Sequence, residues 1–176
     1  GVIKEYYPPD PDESVVRTVL HKETIYEEGK DRAILNEYSP KGLLLSTRSL
    51  KEGESDGEVK EYFKKGGLKL SGNFLNALKD GEWKEYYSDG KIRFQYFYIL
   101  DKLHGEYKSW HEIYKPEEET DEPEVEEEPI LKEEGNYVNG EKDGEWTIWY
   151  PNASLQSKVT FQNGVEDGPY KEWWPI

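Results

Sequence analysis

The chain has 176 residues with 34% hydrophobic and 35% charged, too little apolar material for a thick globular core, so its 14% of aromatic residues carries the apolar load. A formal net charge of -15 argues against nucleic acid and against anionic membrane surfaces as partners, since both demand Lys and Arg, and favours a basic protein. There is no Cys, which excludes disulfides, zinc-thiolate sites and a thiol nucleophile, and no Met, so Gly1 is read as a processed N-terminus of a protein of the bacterial cytoplasm or an exported one.

Taken in order, the chain repeats itself. Ile3-Lys4-Glu5-Tyr6-Tyr7 matches Trp83-Lys84-Glu85-Tyr86-Tyr87, so a first repeat near 1–31 opens inside the pattern. It contains a proline-rich loop at 8–13, because proline cannot donate to a strand ladder. A second repeat near 32–55 keeps Asn36-Glu37-Tyr38 but holds Arg32-Ala33 where its neighbours hold Asp-Gly. Repeats near 56–79 and 80–103 are the clearest, with Gly57, Gly81 and Gly105 spaced 24 residues apart. The fifth, near 104–142, is lengthened by an acidic insert at 115–129, after which repeats near 143–166 and 167–176 resume the period, and a fixed period of this size marks a repeat architecture.

Each unit carries two turn signals, such as Lys79-Asp80-Gly81 and Ser88-Asp89-Gly90, and Asp-Gly suits the positive φ angles of tight hairpins. A further turn column reads Glu28-Gly29, Glu52-Gly53, Asn76-Ala77, Leu100-Asp101, Asn139-Gly140 and Asn163-Gly164, with glycine as a backbone requirement. Between turns, apolar and polar residues alternate, as in Leu68, Leu70, Gly72 and Phe74, the pattern of a half-buried strand. The fold class is therefore all-β: one elongated antiparallel meander of six to seven 24-residue hairpin repeats and about 13 strands, roughly 60 Å long, without a convincing helix.

Two columns are apolar. Tyr6, Tyr38, Tyr62, Tyr86, Trp110, Trp149 and Trp173 form an aromatic ladder with a mainly structural role, and three residues earlier stand Ile3, Leu35, Val59, Trp83, Tyr107, Trp146 and Tyr170. Positions three apart on a strand face opposite ways, so each side of the sheet is expected to carry one ladder. A Glu column (Glu5, Glu37, Glu61, Glu85, Glu172) beside Lys4, Lys60, Lys84 and Lys171 reads as a charge lattice on a solvated face.

The pattern Asp-Gly-Glu-Trp-Lys-Glu-Tyr-Tyr-x-x-Gly-Lys-Ile over residues 80–92 resembles the MORN repeat (membrane occupation and recognition nexus), in the bacterial variant of YwqK-type antitoxin proteins. The resemblance covers the chain apart from 8–13 and 115–129, and it implies an elongated sheet, no catalysis and a role in scaffolding or in neutralising a toxin.

Against that frame, catalysis and metal binding fare poorly. His21, His104 and His111 are the only histidines; His104 replaces a turn Asp, and His111 replaces an aromatic of the Tyr87 column. The turn acids Asp56, Asp80, Asp143 and Asp167 stand alone, ~10 Å apart, and nothing resembles a dedicated calcium loop. No metal or cofactor is expected. The insert acids Glu117, Glu118, Glu119, Asp121, Glu122, Glu124, Glu126, Glu127 and Glu128 form a candidate polyanionic arm for a basic partner. The alternatives are self-assembly through the edge strands at 1–7 and 170–176, and carbohydrate stacking on rows of exposed Trp.

Overall fold

The structure, a computed structural model, describes residues 1–8, 18–113 and 128–174. All of its strands join one antiparallel sheet in meander order: β1 (Val2–Tyr6), β2 (Leu20–Tyr26), β3 (Arg32–Tyr38), β4 (Leu44–Lys51), β5 (Glu54–Tyr62), β6 (Leu68–Leu75), β7 (Leu78–Lys79), β8 (Gly81–Tyr86), β9 (Ile92–Ile99), β10 (Lys102–Trp110), β11 (Leu131–Val138), β12 (Glu141–Trp149), β13 (Leu155–Gln162), β14 (Val165–Glu166) and β15 (Lys171–Glu172). The short strands β7 and β8 both pair with β6, and β14 and β15 both pair with β13, so each couple is one interrupted rung. Among the described residues there is no helix, and the all-β meander expected from the repeats is the fold observed.

One row of turns is formed as the sequence column indicates. Glu52-Gly53, Asn76-Ala77, Leu100-Asp101, Asn139-Gly140 and Asn163-Gly164 each place two consecutive residues at positive φ, the two-residue hairpin whose twist matches that of its strands. Glycine is not indispensable there: Ala77 sits at φ 65° and Asp101 at 67°. The first member of the column differs, since at Glu28-Gly29 only Gly29 has positive φ.

Asp89-Gly90 forms the turn between β8 and β9 as the sequence indicates, with Gly90 at positive φ, whereas the Asp-Gly-Glu positions depart from expectation. Gly57, Gly105 and Gly144 lie within β5, β10 and β12, and Gly81 opens β8; all have positive φ without making a hairpin. The strand bulges there against its preceding neighbour: Leu103 pairs with Tyr98 and Tyr107 with Tyr96, so three residues of β10 oppose one of β9. A glycine in left-handed conformation is what such a bulge requires. The Asp carboxylate then has a structural task, reaching the hairpin turn near the end of its own repeat. Asp56 accepts from the amide of Asn76 at 3.1 Å, Asp80 from that of Leu100 at 3.4 Å, and His104 Nδ1 from that of Asn139 at 3.4 Å.

The opposite ends of the strands are laced in the same direction. Tyr7 donates its hydroxyl to the Tyr38 carbonyl at 2.7 Å, Tyr87 to that of Trp110 at 2.9 Å, and Tyr150 to that of Trp173 at 3.2 Å, while His111 Nε2 donates to the Trp149 carbonyl at 2.9 Å. The histidine in the tyrosine column keeps the tyrosine's bond.

Apolar burial concentrates in one row that crosses the sheet on a single face. Cross-strand pairing links Ile3, Thr24, Leu35, Arg48, Val59 and Gly72, and the row continues through Trp83, Tyr96, Tyr107 and Gly135 to Trp146 and Val159. Val59, Trp83 and Trp146 are 2%, 3% and 0% exposed. The two indoles lie over glycines of the preceding strand: a Cβ on Gly72 would stand 2.3 Å from the Trp83 ring, and one on Gly135 only 2.2 Å from that of Trp146.

Gly135→Ala is therefore expected to cost about 1–3 kcal/mol through overpacking, read as a lower urea midpoint at unchanged slope. Ala77→Gly, which relieves a left-handed alanine, should raise stability by about 1 kcal/mol in the same assay.

Candidate protein-binding surface

One step along the strands, on the same face as the tryptophans, runs a second row. Pairing takes it from Glu5 through Lys22, Glu37, Ser46, Glu61, Leu70, Glu85, Phe94, Ser109, Glu133, Ile148 and Ser157 to Glu172. The Glu column thus does not share a solvated face with its neighbouring lysines. Lys60 and Lys84 point to the opposite face, where they pair with Glu58 at 2.8 Å and Glu82 at 2.7 Å, because adjacent residues of a strand alternate sides. Glu37, Glu61, Glu85 and Glu133 are half-buried beside the first row, next to Leu35 and Val59 at one end and to the aromatic residues at the other.

Three of these four carboxylates have a cation of their own. Glu37 meets Lys22 at 3.3 Å, Glu61 meets Lys69 at 3.4 Å and Glu133 meets Lys142 at 2.9 Å. Burial works to raise the pKa of Glu37, but the Ser46 hydroxyl at 2.9 Å and the Lys22 ammonium outweigh it and hold the carboxyl below its ordinary value. Glu85 accepts instead from the Tyr96 hydroxyl, at 2.7 Å.

The two buried tryptophans share an enclosure of rings and lysine, although only Trp146 satisfies its indole N–H, donating to the Asn136 carbonyl at 3.2 Å. The Trp83 ring meets Phe74 and Tyr98 edge-on, at centroid distances of 5.3 and 6.0 Å, and Lys79 Nζ stands 4.6 Å above it. Trp146 meets Tyr137 and Phe161 edge-on, at 5.0 and 6.3 Å, beneath Lys142 Nζ at 3.7 Å. Perpendicular rings and an overhead cation both suit the charge distribution of an indole. With glycine below and lysine above, neither indole offers a free face. Between the two boxes Leu103 replaces the lysine and Tyr107 the tryptophan, and a shallow depression of about 210 Å³ opens there, lined by Glu85, Phe94, Tyr96, Tyr98, Leu103 and Tyr107.

The residues singled out from sequence are placed unevenly. Of the ladder, Tyr38, Tyr62, Tyr86, Trp110 and Trp149 are half-buried, whereas Tyr6 and Trp173 are exposed. None belongs to a ring pair among the described residues; those pairs run through the column three residues earlier and its neighbours. The ladder contributes backbone instead, the carbonyls of Tyr38, Trp110, Trp149 and Trp173 receiving the Tyr and His bonds. Of the insert acids, Glu117, Glu118, Glu119, Asp121, Glu122, Glu124, Glu126 and Glu127 lie outside the described residues, and Glu128 is exposed.

Burial also shifts the tyrosines of this face. It raises the pKa of Tyr96, aided by the bond donated to Glu85, and pushes Tyr107 up to about 12, with the Glu133 carboxylate adding to the effect. An acid whose pKa rises on folding stays protonated in the folded chain after the unfolded chain has ionised. The stability it contributes is complete below pH 10, the ordinary tyrosine value, and is lost as pH climbs through about 12. A base titration followed by phenolate absorbance and circular dichroism should show a late-ionising group of tyrosines whose ionisation coincides with loss of the sheet. A single transition near pH 10 with the sheet intact would contradict the burial of this face.

Residues 79–99 and 142–163 match the family model of the MORN repeat variant. Each matched stretch begins at or beside the lysine of a box and runs through its tryptophan to the edge-on ring of the following strand. No curated protein matches the chain.

Proposed function

We propose that this MORN-type repeat protein is a non-enzymatic scaffold that binds a basic protein along the carboxylate-bearing aromatic face of its sheet. The observation that carries the reading is the row Glu37, Glu61, Glu85 and Glu133, in which half-buried carboxylates recur, the last two beside aromatic rings, on a chain of net charge -15. Where the row skips one strand, successive carboxylates stand ~10 Å apart, so an elongated partner can engage several at once. In its specific form the reading is an antitoxin or immunity-type protein whose acidic face covers the basic groove of a toxin, with the insert at 115–129 as a second acidic element; charge complementarity of this kind speeds association and selects partners. Carbohydrate stacking has less support, because Trp83 and Trp146 are enclosed on both sides.

Self-assembly is the second reading, favoured by apolar exposure on the terminal strands. Val2, Ile3 and Tyr6 of β1 are exposed, as are Val165 of β14 and, near β15, Tyr170, Trp173 and Trp174.

Native mass spectrometry of the protein from its own source separates the two, a one-to-one complex with a basic chain supporting the first and a ladder of self-assembled species the second. With such a partner in hand, replacing Glu37, Glu61, Glu85 and Glu133 together by Gln is expected to weaken binding by roughly tenfold or more and to flatten its salt dependence. Replacing residues 117–128 with a neutral linker measures the insert's share. If affinity and salt dependence survive both changes, the electrostatic reading fails.

A further inference from the structure

The two tryptophan boxes show what this face does with an ammonium group: it holds one over the rings. Lys142 Nζ lies 3.7 Å from the Trp146 centroid and 5.3 Å from that of Phe161, and bonds Glu133 at 2.9 Å. Lys79 Nζ lies 4.6 Å from the Trp83 centroid and 5.0 Å from that of Tyr98. Both lysines stand four residues before their tryptophan.

The repeat between them keeps the rings, loses the lysine and has a carboxylate, Glu85, at its side, while the Arg93 guanidinium stands 4.9 Å from the Phe94 centroid. Leu103 occupies the lysine position, four residues before Tyr107. Tyr96 and Tyr98 meet edge-on at 5.7 Å, and Phe94 and Tyr107 stand 6.3 Å apart around the depression. At its side Glu85, alone of the four half-buried carboxylates Glu37, Glu61, Glu85 and Glu133, has no ion-pair partner among the described residues. A carboxylate set among aromatic faces, partly shielded from water, is a receptor for a cation with an apolar stem.

We propose that the depression between Glu85 and Tyr107 takes a lysine side chain of the protein partner, its ammonium on Glu85 and its methylene stem against the tyrosine rings. The occupant is a lysine because the chain fills the two neighbouring sites with lysines. This inference rests on the basic-partner reading and narrows it to one contact.

The test uses the full chain with a blocked pentalysine peptide as the probe, at low ionic strength, followed by NMR of the tyrosine ring and backbone signals. Saturable shifts at Tyr96, Tyr98 and Tyr107 are expected, stronger than those produced by pentaarginine. Glu85→Gln keeps an acceptor for the Tyr96 hydroxyl and should weaken this binding by roughly tenfold. Leu103→Lys puts the chain's own ammonium in the position that Lys79 and Lys142 hold, and should compete the peptide away without loss of thermal stability. Should Glu85→Gln unfold the protein, Leu103→Lys alone decides. Peptide binding that maps elsewhere, or that both variants leave intact, overturns this site while leaving the basic-partner reading standing. A response to pentaarginine as strong as that to pentalysine overturns the lysine assignment, and no binding anywhere on the chain overturns both.

Discussion

A single sheet has no second layer to bury a large side chain against. Here an indole can be covered only by the residues beside it on its own face, and that constraint fixes what its neighbours can be. The strand before each tryptophan offers no side chain at the crossing point, which is why Gly72 and Gly135 stand at the same place in their repeats. The following strand and the preceding one each supply an edge-on ring, and a lysine stem closes the top. Where the central residue is a tyrosine, the preceding strand carries Tyr96 instead of glycine. Glycine, lysine and tryptophan thus vary together as one packing unit, and the matches to the MORN repeat variant fall on the two places where the unit is complete.

Local boxes alone would leave the repeats loosely joined, and the two ends of the strands supply bracing and connection. At one end an Asp carboxylate, or His104 in its place, accepts the amide of the turn near the end of its own repeat. At the other a tyrosine hydroxyl, or His111, donates to the next repeat's carbonyl. The first set braces each repeat from within and the second ties it to the next, so strain or substitution in one unit is felt by its neighbours and fades beyond them. In both places histidine does the work of the residue it replaces, which accounts for His104 and His111 without any catalytic role.

Much of this was legible in the sequence, and the failures have definite causes. The period, the meander and the turn column followed from glycine spacing and strict alternation. Asp89-Gly90 makes its turn but Asp80-Gly81 and its repeats do not, because a left-handed glycine serves a bulge as well as a hairpin, and composition does not distinguish them. The Glu column forms cross-strand ion pairs, Glu37 with Lys22 and Glu61 with Lys69, but not with the lysines beside it in sequence, because alternation separates Lys84 from Glu85. A bulge also breaks simple counting along the strand: Glu85 pairs with Phe94 but Tyr86 with Ile92. The boxes were recoverable, since Lys79, Trp83 and Gly72 share their spacing with Lys142, Trp146 and Gly135, yet only cross-strand register shows that these three residues touch.

The aromatic face thereby joins support and charge: the rings that stabilise the sheet are flanked by the half-buried carboxylates on which the proposed function rests. Native-state hydrogen exchange is the most direct test of the idea that stability is generated at the two boxes and relayed outward. Amides of β8, β9, β12 and β13, the strands that bear and follow the tryptophans, should exchange most slowly, with protection falling towards β1 at one end and towards β14 and β15 at the other. Equal protection across the whole sheet, or a maximum in the strands farthest from Trp83 and Trp146, would contradict it.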